Sequence, residues 1–175
     1  MEKNNNFEEQ IPVNLRNFIL SNSSNAEDFG WDEDDVIYIL TCIQEGREDE
    51  IDFDDDELQN SIGIFFENGI CTPTDINKAV AWYEKSAAQG NDLAKSNLAD
   101  ILRKGSEGYP KDLKRAFELY KTCGLPYAHY RCGEFYEKGW GTEIDLEKAK
   151  VYYRLAYKEG HGLAKWKLKE WNFME

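Results

Sequence analysis

The sequence predicts an all-α fold, an α/α superhelical solenoid of helix–turn–helix repeats preceded by an acidic N-terminal helical cap. Three observations lead there. The segment Ala79–Gly90, AVAWYEKSAAQG, returns as AFELYKTCG at Ala116–Gly124 and as AKVYYRLAYKEG at Ala149–Gly160. An Asp stands four residues before each leading Ala (Asp75, Asp112, Asp145), so the period is 33 to 37 residues, the mark of stacked helical units. Charge is also divided unevenly: residues 1–57 hold 18 acids against 3 bases, and residues 58–175 hold 16 acids against 18 bases. The net charge of −13 therefore arises in the first third, and a boundary near residue 57 follows.

Residues 1–12 are polar and end at Pro12. Asn14–Ser21 can form a short helix with Leu15, Phe18 and Ile19 on one side, and a Ser-Asn loop follows at 21–25. Asp32–Glu45 reads as a stronger helix, because Val36, Ile39, Leu40 and Ile43 share a face. Its first turn holds four acids, which complement the exposed N–H groups there, and Gly46 is placed to end it. The run Asp49–Glu57 alternates acids like a calcium loop. Counted from Asp52, however, Glu57 and Gly63 occupy the places where that loop needs Gly and Glu, so the run is expected to be a linker that caps the next helix.

Each unit is then a helix pair, with units at 58–90, 91–124 and 125–160 and a half-unit at 161–175. The first helices align as 58–69, 94–105, 128–139 and 164–175. Three of them carry a small residue (Gly63, Ala99, Gly133) three places before a bulky one (Phe66, Leu102, Tyr136). That spacing lets a neighbouring helix approach closely. Gly69, Gly105 and Gly139 stand at positions suited to a left-handed helix end. The second helices begin on Asp75, Asp112 and Asp145 as N-caps, pack through Ala79, Ala116 and Ala149, and place Tyr83, Tyr120 and Tyr153 on the same face. The middle one is a turn shorter. Residues 164–175 are expected to close the stack, kept soluble by Lys165, Lys167, Lys169 and Glu170.

The pattern of an Ala-led first helix ending in Gly, then Asp-x-x-Lys/Arg-Ala, an aromatic and a terminal Gly, resembles the Sel-1-like repeat, a relative of the tetratricopeptide repeat with a longer internal loop. The resemblance covers residues 58–175 and rests on Asp75–Ala79, Asp112–Ala116 and Asp145–Ala149. The cysteine register of the secreted, disulfide-stapled branch is absent. A tetratricopeptide-like register implies a concave groove lined by Asn60, Ile64, Glu67, Ser96, Asp100, Arg103, Tyr130, Glu134, Glu137, Trp166, Glu170 and Phe173. The partner-binding candidates are Glu67, Asp100, Arg103, Tyr130, Glu134, Glu137, Trp166 and Glu170. Tyr130, Trp166 and Phe173 would be aromatic anchors beside acids; Trp166 has a second option, packing on the preceding unit.

Catalysis is not expected. His129 and His161 are the only histidines and stand in no metal or protease motif, and no phosphate loop or GxSxG occurs. Cys123 and His129 are close enough in sequence for a thiol–imidazole pair, but two unrelated residues at a helix junction is the preferred reading. No cofactor or metal is implied. A near-neutral array behind an acidic leader argues against nucleic acid, and acidic polar faces argue against a membrane surface. The N-terminus lacks the features of a secretory signal, and the cysteine spacings match no zinc or redox motif. Both facts point to a cytoplasmic protein with buried thiols, although a Cys123–Cys132 bridge is open to an exported chain.

The expected function is therefore protein binding, with the groove taking a basic or extended segment of a partner. One alternative is an acidic immunity protein that neutralises a toxin such as a nuclease, using Asp32–Glu57. Another is an acidic leader that lies over the array and competes with the partner. A hydrolase comes last, on distant family resemblance alone.

Overall fold

The computed structural model describes residues 33–51, 54–70, 72–105 and 108–171. The short helix expected at 14–21, Asp32 and Phe173 lie outside these residues. Eight α-helices follow in order among the described residues: α1 Glu33–Glu45, α2 Asp56–Asn68, α3 Ile76–Ala88, α4 Asp92–Lys104, α5 Leu113–Lys121, α6 Pro126–Lys138, α7 Leu146–Lys158 and α8 Gly162–Glu170. A 3-10 turn, Glu48–Glu50, links α1 to the array. Consecutive helices pack on one another from α2 through to α8. The first helices of the units are α2, α4, α6 and α8, and the second helices are α3, α5 and α7.

Local chemistry fixes the starts. The carboxylates of Asp55, Asp75, Asp112 and Asp145 accept from the backbone N–H of Leu58, Lys78, Arg115 and Lys148, so each N-cap satisfies a donor that the helix cannot. Asp55 is the capping role expected of the second acidic run. α6 lacks a side-chain cap and begins instead on Pro126, whose fixed φ suits the first turn. The ends of α2 and α6 are left-handed at Gly69 (φ 69°, ψ 37°) and Gly139 (φ 68°, ψ 31°). Gly105 departs from the expected left-handed helical end: its φ is also positive, but ψ is 131°. α5 has nine residues where α3 and α7 have thirteen, as Thr122-Cys123 in place of Ser86-Ala87-Ala88 implied.

The packing explains the repeated small residues. Ala79, Ala116 and Ala149 are each fully buried, and so are Tyr83, Tyr120 and Tyr153. The ring of Tyr83 lies against Gly63 and that of Tyr153 against Gly133, so closely that a Cβ on either glycine would sit 2.6 Å from ring carbons. Ala99 holds the matching place in the middle unit and is fully buried. Between units, Phe117 of α5 stacks on Phe135 of α6 (5.6 Å, 9°) and meets Tyr136 edge-on (5.0 Å).

The apolar core is in two parts. The larger runs from Ile39, Leu40, Cys42 and Ile43 of α1 through every unit to Phe135. Lys78 of α3 also pairs with Glu48 of the 3-10 turn, which ties the acidic leader to the first unit. A smaller cluster holds the end of the stack: Tyr130, Ala149, Tyr153, Ala156, Ala164 and Leu168.

Candidate partner-binding surface

On each first helix, one stripe of residues remains at least partly accessible outside the core. It comprises Ser61, Ile64 and Asn68 on α2; Leu93, Asn97, Asp100 and Lys104 on α4; Tyr127, Arg131 and Lys138 on α6; and Leu163, Lys167 and Glu170 on α8. The three-and-four spacing is that of a single helix face. This face overlaps the expected register, of which Ile64, Glu67, Asp100, Arg103, Glu137, Trp166 and Glu170 are at least partly accessible. Asn60, Ser96 and Tyr130, expected in the groove, are 6%, 7% and 8% exposed. They point towards the following unit: Asn97 of α4 donates to Asn60 (3.0 Å), and the His161 ring stacks on Tyr130 (4.6 Å, 25°). Tyr130 is thus a buried contact between units and not an open anchor, because His161 at the start of the next unit covers it.

Three of the expected carboxylates share a different task. Each buried tyrosine of a second helix donates its hydroxyl to a carboxylate of the preceding first helix: Tyr83 to Glu67 (2.6 Å), Tyr120 to Asp100 (2.8 Å) and Tyr153 to Glu137. Burial raises all three phenols above the ordinary tyrosine range, and the adjacent carboxylates raise them further, so each remains a donor. Two of the three carboxylates also hold a cation. Arg103 donates to Asp100 through Nη2 and Nε (2.8 and 3.1 Å), and Lys167 Nζ lies 2.9 Å from Glu137. Glu67 accepts from Tyr83, and no cation is placed on it among the described contacts.

Asp100 is the most heavily engaged of these. Tyr127 reaches it from the next unit with contacts of 2.7 and 2.9 Å, in addition to Tyr120 and Arg103. Burial alone would raise its carboxyl, but Arg103, Tyr127 and Tyr120 outweigh burial and hold it below the usual carboxylate range. Glu134 is 8% exposed, bonded to Arg131 at 2.5 Å and 3.7 Å from Lys138. The Arg131 guanidinium lies over the Tyr127 ring at 4.7 Å. Trp166 is 71% exposed and does not take the alternative of packing on the preceding unit; Lys169 lies over its ring at 5.7 Å. Glu170 is exposed at 3.6 Å from Lys167.

The sequence pattern of the family described as Sel1 repeat matches residues 57–91, 93–122 and 126–161. The chain belongs to the Sel1 repeat family. Relatives include an uncharacterized protein of Neisseria meningitidis serogroup B (33% identity, 48% of this chain, 18% of that protein) and Activator of C kinase protein 1 of Saccharomyces cerevisiae (34%, 50% and 16%). A third is a putative sel1-like repeat-containing protein of Acanthamoeba polyphaga mimivirus (30%, 63% and 20%). The chain thus spans a fifth or less of the length of these relatives.

Among solved structures, a Sel1 repeat protein from Oxalobacter formigenes superposes with a TM-score of 0.62 at 25% identity, over 73% of this chain and 53% of that one. A protective antigen of uropathogenic Escherichia coli with an SLR fold superposes at 0.63 and 22% identity, over 74% and 27%; this second likeness concerns the fold alone. Sel1 repeat proteins are typically non-catalytic scaffolds that mediate protein–protein interaction.

Within the Sel1 array, the two members of the candidate thiol–imidazole pair each have another partner. Cys123 donates to the Asp92 carbonyl (3.3 Å), while His129 meets Glu159 at 2.6 Å. Burial raises the Cys123 thiol and pushes Cys132 up to about 12, so neither is a ready thiolate. No helix among the described residues is long and apolar enough to cross a membrane. Leu93, Asn97, Tyr127, Arg131 and Lys138 are among the residues of this stripe that the expected register did not include. A signal was present for two of them: Leu93, Tyr127 and Leu163 hold one aligned position and, with Ile64, are the apolar members of the stripe.

Proposed function

We propose that this Sel1 array binds an extended, basic segment of a partner protein along its first helices, with a partner Lys or Arg seated on Glu67. The observation that carries this is internal to the repeat. The same phenol–carboxylate bond recurs in three units, and in two of them a cation completes it: Arg103 on Asp100 and Lys167 on Glu137. For the Glu67 carboxylate of the first unit, the residue of the next unit aligned with Lys167 is Asn97, which reaches Asn60 instead and leaves Glu67 with Tyr83 alone among the described contacts. A charge-assisted bond from a partner cation fits that place. Leu93 and Leu163 offer exposed apolar contacts along the same stripe.

The test is a peptide array of 12-residue segments of varied charge, probed with the purified chain. Bound segments should be enriched in Lys and Arg, and Glu67→Lys should abolish that enrichment while Lys158→Glu leaves it. Enrichment in acidic segments, or binding indifferent to Glu67→Lys, would falsify the reading. Glu67 is a cleaner probe than Asp100 or Glu134, whose reversal would also disturb Tyr120, Tyr127 and Arg131.

The immunity-protein reading draws on a different feature. Glu45, Asp49, Glu50, Asp54 and Glu57 form an exposed acidic leader to the first repeat, suited to a basic enzyme cleft. It predicts protection of cells from a toxin encoded beside this chain. Protection that survives reversal of those five charges would count against it.

A further inference from the structure

The last unit presents a face that the earlier units cover. Leu146 of α7 aligns with Ile76 and Leu113, and Tyr157 aligns with Ala87; those three counterparts pack against the main core. In the last unit Leu146 is 52% and Tyr157 39% exposed. Trp166 of α8 aligns with Asn60, Ser96 and Tyr130, all buried, of which Asn60 and Tyr130 meet Asn97 and His161 of the unit that follows. The three apolar side chains thus mark the surface where the next element of the stack would sit, and apolar patches of this kind signal an interaction site.

Charge indicates the occupant. Residues 146–171 carry seven bases and three acids, and Lys158, Lys165 and Lys169 are exposed around the face. Residues 33–57, at the other end of the chain, carry twelve acids and one base. Two copies of one end would bring like charges together, whereas the end of one chain against the beginning of another brings opposite charges together. We infer that the C-terminal face formed by Leu146, Tyr157 and Trp166 docks, head to tail, on the exposed acidic residues Glu45, Asp49, Glu50, Asp54 and Glu57 of a second copy of this chain. Such a contact is heterologous: each added copy still presents a free end. It is independent of the Glu67 site, which lies on α2, away from α7 and α8.

Sedimentation velocity of the full chain tests it. The weight-average mass should rise with concentration, and raising NaCl from about 0.05 to about 0.5 M should weaken the association roughly tenfold or more. Two variants set the direction: Trp166→Glu at the tail, and Asp49→Lys with Asp54→Lys at the head. All three positions are solvent-exposed, so helicity and thermal midpoint should match the wild type. Each variant alone should be monomeric. Their equimolar mixture should form a one-to-one dimer and nothing larger, because only one intact head and one intact tail remain. Should Trp166→Glu lose helicity, Leu146→Ser with Tyr157→Ser serves as the tail variant. A wild-type chain that remains monomeric throughout overturns the proposal. So does a head variant that self-associates as strongly as the wild type, which would mean that two C-terminal faces meet.

Discussion

Asp100 sits where five donor contacts converge from three side chains, Arg103, Tyr120 and Tyr127, and this concentrates both stability and pH dependence in one carboxylate. Asp100→Ala would leave a guanidinium and two phenols short of an acceptor in a half-buried site. The expected loss is about 2–3 kcal/mol in urea denaturation, below the range for fully buried pairs because some solvent reaches the group. The folded carboxyl titrates below its ordinary 3.8. Its contribution is therefore present above that value and lost as pH falls through the lower, folded one. Asp100→Asn should flatten the stability profile below about pH 4 relative to the wild type, as read by the urea midpoint at each pH. An unchanged slope would mean that other carboxylates govern acid unfolding.

Among the helices, close approach and capping separate cleanly. Gly133 lets α7 lie against α6 with the Tyr153 ring where a Cβ would be. Gly133→Val must displace a fully buried ring at both the Cβ and its branches, and a cost of about 2–3 kcal/mol is expected from overpacking, more than helix propensity returns. Thermal or urea denaturation measures it, and a neutral result would mean that the two helices separate without penalty. α5 is the shortest second helix, so its cap carries a larger share of its stability. Asp112→Ala removes the bond to the Arg115 N–H at 2.9 Å and should cost about 1 kcal/mol. Hydrogen exchange should record faster opening across Leu113–Lys121 with little change in α7. The Arg115–Glu84 pair between second helices (2.7 Å) is half-exposed and should contribute little.

For the whole chain, the division of the core predicts the order of opening. The main cluster joins α1 to Phe135, while α7 and α8 rest mainly on a second cluster of six buried residues centred on Tyr153. In a linear stack each unit is held by its contacts with its neighbours, and the second cluster offers fewer of them than the main one. Native-state hydrogen exchange should therefore show amides of α7 and α8 opening at lower free energy than those of α3 and α4. Uniform protection along the array would mean that the two clusters melt as one. The same scarcity of contacts leaves Trp166 uncovered, so weak local stability and the proposed docking face have a single origin.

Much of this was legible in the sequence. Asp75, Asp112 and Asp145 announce helix starts because an N-cap is a contact between residues three apart, and Ala79–Tyr83 and its copies announce a buried stripe because four residues make about one turn. The small–large spacing of Gly63 and Phe66 likewise identified where helices approach. Which of two neighbouring positions on a first helix stays open was beyond such reasoning. A helical period limits the outward stripe only to within about a residue, and the choice between Tyr130 and Arg131 was made by His161, thirty positions downstream, stacking on one of them. The sequence by itself determined the helix pairs, their caps and their repeat, since these depend on neighbours along the chain. Only the tertiary structure decided which carboxylates hold a phenol and a cation and which, like Glu67, hold a phenol alone among the described contacts, because the phenols reach them through the packing of separate helices.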